Sequence, residues 1–229
     1  MKSSDANWTK FHIEKAKTNY PMWPIEAMLK LVNGDYLNSK INLTKSSKVL
    51  DIGCGFGNNL LPFILKGYEC HGIEITKEMA DTTQILLKER GFENVTVQEG
   101  CNTALPFEDN TFDLIISNNV LHYEKDEDSI KKALKEYSRV LTTSGSLFMM
   151  TVAPEHDIYK RAKPLGNHRY QINDYDFRNG EIYFYFDSEK YLNMYLAEFF
   201  DSSEIGRVTE NLMRLSLDFF VSVSQNKKV

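Results

Sequence analysis

Residues 51–57 combine one acid with three glycines at alternate positions, in the order Asp51, Gly53, Gly55 and Gly57. Glycine lets the backbone pass close to a ligand. A short apolar run ends at the acid, and apolar residues resume at helical spacing after the last glycine. A strand, a glycine turn and a helix start in this order predict a site for a nucleotide cofactor.

The spacing of the glycines decides which nucleotide cofactor this site suits. The dinucleotide fingerprint G-x-G-x-x-G needs its third glycine at the position that Asn58 occupies. The observed spacing is D-x-G-x-G-x-G, which resembles motif I of the class I S-adenosylmethionine (SAM)-dependent methyltransferases. The resemblance implies that SAM is the cofactor and S-adenosylhomocysteine (SAH) the product.

Three further segments are similar to motifs of the same family, in the same order. Residues 71–75 resemble its second strand, which ends in an acid, here Glu74. The resemblance implies that this carboxylate accepts hydrogen bonds from both ribose hydroxyls. Residues 100–107 resemble the loop after the third strand, and residues 112–122 resemble the fourth strand with its exit loop. The close resemblance covers roughly residues 45–153.

The loop after the third strand departs from the family's pattern. The family often has Asp after the loop glycine, where it bonds the adenine amino group, and this chain has Cys101. A thiol is a weak hydrogen-bond acceptor. We expect Asn102 to hydrogen-bond to the polar edge of adenine instead, because its side chain carries both a carbonyl and an amide N–H. The cofactor-binding residues that we predict are Tyr20, Asp51, Gly53, Cys54, Gly55, Gly57, Glu74, Ile75, Cys101, Asn102 and Asn118.

His122 is the candidate for a catalytic base and for a contact to the substrate. Methyl transfer from a sulfonium is an in-line displacement, so the protein chiefly positions donor and acceptor and excludes water. An acceptor that loses a proton also benefits from a base. His122 follows Asn118 near the carboxyl end of strand four, and imidazole titrates near neutral pH. The alternative is that His122 packs or caps the structure after that strand.

Residues 1–24 are rich in aromatic side chains, among them Trp8, Phe11, Tyr20 and Trp23. We expect this segment to form a lid or a helical extension over the cofactor. Tyr20 or Trp23 would then stack near the sulfonium in a cation–π arrangement, and both are also predicted to contact the substrate. The alternative is that these aromatic side chains only bury the first helix against the sheet.

Residues 155–186 are rich in tyrosine, phenylalanine and basic residues, and we expect them to form an insertion that covers the substrate. The part up to Tyr170 carries four basic residues against two acidic ones, in a chain whose net charge is −5. A positive segment suits a phosphate or carboxylate, which arginine binds through two N–H groups at once. The alternative is a solvated surface. The substrate contacts predicted here are Tyr159, Arg161, His168, Arg169 and Tyr170.

Apolar strands alternate with amphipathic helices from about residue 25 to residue 150, which predicts an α/β fold with a mainly parallel sheet. Strands are expected at 48–52, 69–74, 95–97, 146–152, 204–209 and 215–224, and helices at 24–32, 57–66, 77–90, 128–141 and 189–200. The resemblance implies a single Rossmann-like class I methyltransferase domain over residues 1–229. Its seven-stranded sheet would have an antiparallel last strand and helices on both faces.

The composition narrows the possible partners. A length of 229 residues with 42% hydrophobic and 26% charged residues suits one α/β domain. The net charge of −5 disfavours a broad nucleic-acid surface, and no apolar stretch is long enough to cross a membrane. The three cysteines form no CxxC pair, which predicts reduced thiols and a cytoplasmic location. His156, Asp157 and His168 lack a compact ligand spacing, so no metal is expected.

We therefore predict a SAM-dependent methyltransferase that acts on a small, anionic or sugar-derived acceptor at oxygen, as a monomer or homodimer. The loop after strand four lacks the N/D-P-P-Y signature with which nucleic-acid amino-methyltransferases hold a flipped base. One alternative is N-methylation of a small molecule, or methylation of a protein or an RNA. A second alternative is a SAM-binding module without turnover.

Overall fold

A seven-stranded sheet lies at the centre of the protein in a computed structural model that describes residues 3–16 and 22–227. The strands of the described residues are β1 (Lys48–Ile52), β2 (Glu69–Glu74), β3 (Val95–Glu99), β4 (Phe112–Asn118), β5 (Leu141–Val152), β6 (Lys163–Gly166), β7 (Arg169–Gln171), β8 (Ile182–Phe184), β9 (Phe200–Leu212) and β10 (Leu215–Asn226). The helices are α1 (Ser3–Ala16), α2 (Glu26–Asn33), α3 (Leu61–Leu65), α4 (Lys77–Glu89), α5 (Glu127–Val140) and α6 (Glu189–Phe199).

The strands of the central sheet follow the order β3-β2-β1-β4-β5-β10-β9. The pairs among β1 to β5 are parallel, and β10 is antiparallel to both of its neighbours. The predicted sheet of seven mainly parallel strands with an antiparallel last strand is confirmed. The chain order reverses between β1 and β4, and open α/β sheets bind their ligands beside the carboxyl ends of the strands at such a point.

Neighbouring residues of each inner strand pack into two different cores, one on each face of the sheet. Leu50 of β1 packs with α5 and α6, while Val49 packs with α2, α3 and α4. Ile115 and Leu114 of β4 divide in the same way. Because strand side chains alternate between the two faces, these continuous apolar strands require a helical layer on each side. Helices on both faces are thus confirmed.

Several helices begin at a side chain that accepts a backbone N–H bond. Thr76 accepts from Met79 at the start of α4, and Ser188 accepts from Tyr191 at the start of α6. Asp126 begins α5 through a reciprocal pair of bonds with Ser129. These caps satisfy N–H groups that have no partner inside the helix. None of the described helices has the length and apolar character that a membrane crossing demands.

The structure differs from the predicted elements where local sequence conceals the boundary. The helix predicted from residue 57 begins at Leu61, because Gly55 and Gly57 hold positive φ angles of 55° and 78° that no helix residue adopts. The strand predicted from residue 146 begins at Leu141, directly after α5 ends. Its residues 142–144 are polar and half-buried or exposed, so they carry no apolar pattern.

The buried carboxylate of Asp218 joins the region predicted as an insertion to the central sheet. β6, β7 and β8 form a separate three-stranded antiparallel sheet inside residues 155–186. Asp218 of β10 is fully buried and accepts two bonds from Arg207, at 2.7 and 2.6 Å, and one from the backbone N–H of Glu155 at 2.9 Å. Burial would raise the pKa of Asp218, but the bonds from the Arg207 side chain and the Glu155 backbone N–H hold that pKa below the ordinary value. The start of the insertion is therefore tied to β10.

We expect Asp218→Asn to lower the free energy of unfolding by roughly 2–4 kcal/mol, because the substitution removes the negative charge that pairs with Arg207. Urea unfolding at neutral pH measures the loss. In the wild type this contribution is present above the ordinary pKa of Asp and disappears as the pH falls through the lowered folded value.

Asp35→Asn is the matched control, since Asp35 pairs with Lys40 on the surface. It should change stability by less than about 0.5 kcal/mol. An equally small effect of Asp218→Asn would contradict a stabilising role of the buried pair.

Candidate cofactor and acceptor site

The turn after β1 is held in a backbone conformation that requires glycine. Gly53 and Gly55 have φ angles of +64° and +55°, in the left-handed region. A Cβ atom on Gly53 would lie 2.8 Å from Cγ2 of Val120, which leaves no room for a side chain. Gly55 faces open space, since no atom lies within 4 Å of the position of a Cβ there. The turn therefore leaves room for a ligand beside Gly55.

Glu74, at the end of β2, is bound directly to this turn. Its Oε1 accepts from the backbone N–H of Gly55 at 2.6 Å, and its Oε2 accepts from that of Ile75 at 3.2 Å. Burial raises the pKa of Glu74 to about 7, although the two N–H groups favour the charged form. Each oxygen retains acceptor capacity, so the fixed carboxylate suits a ligand with two neighbouring hydroxyls.

Asp51 lies beneath the turn and does not line the cavity described next. It is fully buried, and neither of its carboxylate oxygens has a hydrogen-bond partner among the described residues. Burial, together with the nearby charge of Glu74, raises the pKa of Asp51 well above its ordinary value. The two acids thus form a buried pair of which Glu74 faces the ligand space.

A cavity of about 790 Å³ opens over the carboxyl ends of the parallel strands. Its volume falls in the range of small-molecule sites. Beside the glycine turn it is lined by Asn58, Asn118 and Asn119, whose side-chain oxygens are buried without a partner in the described part of the chain. Three acceptors without donors create a negative partial charge at this end, which favours a cation.

The loop after β3 uses the side chain of Asn102 inside the protein. Its Nδ2 donates to Glu124 at 3.0 Å, and its Oδ1 accepts from the Tyr137 hydroxyl at 2.8 Å. The carboxamide keeps one N–H and one lone pair for the predicted contact to adenine. Cys101 lines the cavity beside it, and Ile75, 41% exposed, offers an apolar wall.

Cys54 also lines the cavity, but its thiol is buried in the core. A Cβ on Gly72 would meet the Cys54 sulfur at 2.7 Å, so the thiol packs directly against β2. Burial, with the charges of Glu74 and Asp51, raises the pKa of this thiol well above its ordinary value. Cys54 can therefore serve a ligand through its backbone rather than its sulfur.

His122 lies in a short 3-10 turn after β4, and its ring is buried at the cavity wall. Its Nδ1 is 3.1 Å from Oγ1 of Thr151, and its ring stacks obliquely against Tyr183, with centroids 4.4 Å apart. Burial, with the nearby charge of Arg178, lowers the pKa of His122 to about 3. The imidazole is therefore neutral, and Nε2 is the ring nitrogen left for a ligand.

Helix α1 forms part of the cavity wall. Trp8, His12 and Lys15 line the cavity, and the ring of Phe11 stacks on Phe177 with centroids 4.2 Å apart. Trp23 lines it as well, with 75% of its side chain exposed. The predicted contact Tyr20 lies outside the described residues.

The five predicted substrate contacts of the insertion do not line the cavity. Arg161 forms a surface ion pair with Asp174, and His168 stacks on Tyr191 at 4.2 Å. The ring centroids of Tyr159 and Tyr170 are 5.5 Å apart, and Arg169 is the first residue of β7. The structure therefore does not bring Tyr159, Arg161, His168, Arg169 and Tyr170 to the cavity, and their contact with a substrate stays a prediction.

Other residues of the insertion line the cavity in their place. These are His156, Ile158, Tyr175, Phe177, Arg178, Glu181 and Tyr183. The richness of this segment in tyrosine, phenylalanine and basic residues indicated the right part of the chain. Its strands are only three or four residues long, too short for an alternation that shows which face meets the cavity. Among the described residues, no three His, Cys, Asp or Glu side chains converge to hold a metal.

Known proteins share the central part of this chain. A family model described as a methyltransferase domain matches residues 49–145. YcgJ, an uncharacterised methyltransferase of Bacillus subtilis, is 38% identical over 112 residues, which are 48% of this chain and 43% of that protein. The chain spans about half the length of the curated relatives that it matches.

Solved structures share the fold over most of the chain. A SAM-dependent methyltransferase of Methanosarcina mazei has a TM-score of 0.66 at 22% identity and covers 81% of this chain and 94% of that one. The Burkholderia thailandensis 1,6-didemethyltoxoflavin-N1-methyltransferase, solved with 1,6-didemethyltoxoflavin and SAH, has a TM-score of 0.59 at 18% identity, over 80% of this chain and 72% of that one. At these identities the similarity is one of fold.

Glu74→Gln keeps the size of the side chain and removes its charge. We expect the variant to bind SAM about 10- to 100-fold more weakly, because the ribose hydroxyls lose a charged acceptor. Wild-type affinity should fall as the pH decreases through about 7, where Glu74 takes up a proton, whereas the affinity of the variant should stay flat. Calorimetric titration across this range measures both effects.

The same variant also tests how Glu74 affects the pH dependence of stability. Folding raises the pKa of Glu74, so its stabilising contribution is present below the ordinary value of 4.5 and is lost as the pH rises through about 7. Relative to Glu74→Gln, the wild type without ligand should therefore lose stability over this interval. Glu210→Gln, on the exposed face of β9, serves as the control. Parallel pH curves for wild type and Glu74→Gln would contradict a buried, titrating Glu74.

Phe11→Ala removes the stacking contact between α1 and the insertion. We expect SAM to bind about 3- to 10-fold more weakly, mainly through faster dissociation, because an aromatic pair contributes roughly 0.5–1.5 kcal/mol. Stopped-flow displacement measures the rate, and Tyr36→Ala, which removes an exposed ring, is the control. A dissociation rate equal to that of the wild type would argue against α1 as a lid.

Proposed function

We propose that the protein transfers the methyl group of SAM to a small, anionic or sugar-derived acceptor, at oxygen. The match of residues 49–145 to a methyltransferase domain supports this proposal. The observation that carries the proposal is the position of Glu74. Its carboxylate is fixed by Gly55 and Ile75 at one end of a cavity whose other end is lined by the insertion. Donor and acceptor would therefore share one cavity.

The residues at the glycine turn fit SAM. Glu74 offers two oriented oxygens to the ribose hydroxyls, and the space beside Gly55 admits the chain of the ligand. The unpartnered oxygens of Asn58, Asn118 and Asn119 suit the positive charges of the ammonium and the sulfonium. When bound, SAM supplies a methyl group made electrophilic by the sulfonium. The protein then needs to orient the acceptor and exclude water.

His122 is suited to receive the proton that an acceptor hydroxyl releases. A pKa near 3 makes it a weak base, yet it is fully unprotonated at neutral pH. A hydroxyl becomes strongly acidic as its oxygen bonds to carbon, so a weak base in contact suffices late in the transfer. Thr151 holds Nδ1 and thereby orients the ring.

Other functions differ in what the cavity must admit. The burial of His122 and the wall made by α1 and the insertion support a small acceptor over a protein or an RNA. Nitrogen remains an alternative acceptor atom, as in the Burkholderia thailandensis N1-methyltransferase that shares this fold. A SAM-binding module without turnover is the second alternative. We further propose a cytoplasmic monomer or homodimer, in keeping with three free cysteines.

Labelled SAM and a metabolite extract test the function directly. We expect the label to appear in a low-molecular-weight product, identified by mass spectrometry, together with SAH. Heat-denatured protein controls for chemical methylation. Bound SAM without transfer to any metabolite would favour the binding module, and label in protein or RNA would overturn the small acceptor.

His122→Asn should lower turnover at least about tenfold and leave SAM affinity unchanged, because the group that accepts the proton is lost. Thr151→Val removes only the hydrogen bond to Nδ1 of His122. Its turnover should lie between those of His122→Asn and the wild type. The pH profile of the wild type should show no inflection from His122 near its ordinary pKa of 6.5, since burial lowers that pKa to about 3. Wild-type turnover in His122→Asn would exclude it as the base.

A further inference from the structure

The guanidinium of Arg178 lies at the acceptor end of the cavity with N–H groups to spare. One of its nitrogens binds Asp176, and the guanidinium lies near the hydroxyl of Tyr123. Its carbon Cζ lies over the ring of Phe177, 4.4 Å from the ring centre. An arginine has five N–H donors, so those that Asp176 does not use are available to a ligand.

The hydroxyl of Tyr123 is also oriented as a donor to the cavity. Its oxygen accepts from the hydroxyl of Tyr183 at 2.9 Å. Burial raises the pKa of Tyr123, so it keeps its proton. Since Tyr183 donates to this oxygen, the Tyr123 proton is left for a ligand acceptor. Arg178 and Tyr123 together present several donors to one point.

Aromatic and apolar side chains make up much of the wall near this point. The rings of His122, Tyr123 and Tyr183 contact one another, with centroids 4.4–4.9 Å apart. Four apolar side chains line the cavity as well; they are Val152, Ile158, Leu217 and Phe219. Aromatic faces and edges favour a planar ring over a puckered one that carries hydroxyls on all sides.

We propose that the acceptor is a planar aromatic acid, whose carboxylate is held by Arg178 and Tyr123 and whose ring hydroxyl meets His122. This inference rests on the proposed methyl transfer and names its substrate class. In the reaction, the hydroxyl oxygen bonds to the methyl carbon while the carbon–sulfur bond breaks and leaves its electron pair on sulfur. The hydroxyl proton passes to Nε2 of His122 and then to solvent.

The acidity of the acceptor agrees with this assignment. A phenolic hydroxyl has an ordinary pKa of about 10, far below that of an alcohol. Buried His122 is a weak base, so it suits a hydroxyl that releases its proton readily. The aromatic ring also delocalises the negative charge that develops on the hydroxyl oxygen, so less of it lies against the apolar wall. Arg178 therefore acts as a specificity-determining residue and not as a catalytic one.

Calorimetric titration of the full chain saturated with SAH tests the proposal with three probes: 3,4-dihydroxybenzoate, its neutral analogue 3,4-dihydroxybenzamide, and glucuronate. We expect the benzoate to bind at least about 10-fold more tightly than the amide, because a charge-assisted bidentate pair is lost. Glucuronate, an anion without a planar ring, should bind at least about 10-fold more weakly than the benzoate.

Variants assign the difference to one side chain. Arg178→Gln should weaken benzoate binding about 10- to 100-fold and leave amide and SAH binding unchanged. Arg178→Lys keeps the positive charge but loses the planar group that binds two oxygens at once. Its affinity for the benzoate should lie between those of the wild type and Arg178→Gln. Arg214→Gln, at the exposed turn between β9 and β10, is the control. Unchanged SAH binding shows that each variant is folded.

The outcomes separate this inference from the function on which it rests. Equal binding of benzoate and amide, or full benzoate binding by Arg178→Gln, overturns the anion site while SAM binding stands. Glucuronate bound as tightly as the benzoate overturns the aromatic class. No binding of any probe to the SAH complex overturns the proposal. Failure of SAH itself to bind overturns the proposed function.

Discussion

The hydrogen bond between Glu74 and the backbone of Gly55 is the contact on which the site depends. It joins the end of β2 to the turn after β1 at 2.6 Å, and it requires a left-handed backbone that glycine adopts at little cost. A buried carboxylate is unfavourable unless it is well paired, and burial brings the pKa of Glu74 to about 7. A ligand with hydroxyl donors would offset this penalty. Binding and stability are thus coupled through one side chain.

The cavity has two ends that come from different parts of the chain. The end beside the glycine turn follows from parallel strands whose carboxyl ends meet at one edge, and it lies within the matched residues 49–145. The other end is made by α1, residues 175–183 and β10, all outside that match. The matched residues therefore form the end beside the glycine turn, while segments outside the match form the other end.

Several side chains predicted from motifs, His122 and Asn102 among them, line the cavity, but their surroundings change what they can do. His122 reaches the wall as expected, yet burial beside Arg178 lowers its pKa to about 3. Asn102 is in the predicted loop, but its carboxamide already binds Glu124 and Tyr137. The sequence alone does not reveal these effects, because each partner lies twenty or more residues away in the chain.

The sequence by itself determined the order of strands and helices, the glycine turn and the acid that follows β2. These features depend on residues close together in the chain, so apolar spacing and glycine positions suffice to predict them. Only the tertiary structure decided that Arg178, and not Arg161 or Arg169, lines the cavity. The reason is physical: Arg161 and Arg178 lie in turns and Arg169 lies in a strand of three residues, so no local periodicity shows which of them meets the cavity. Packing of the insertion against β10 and α1 decides it.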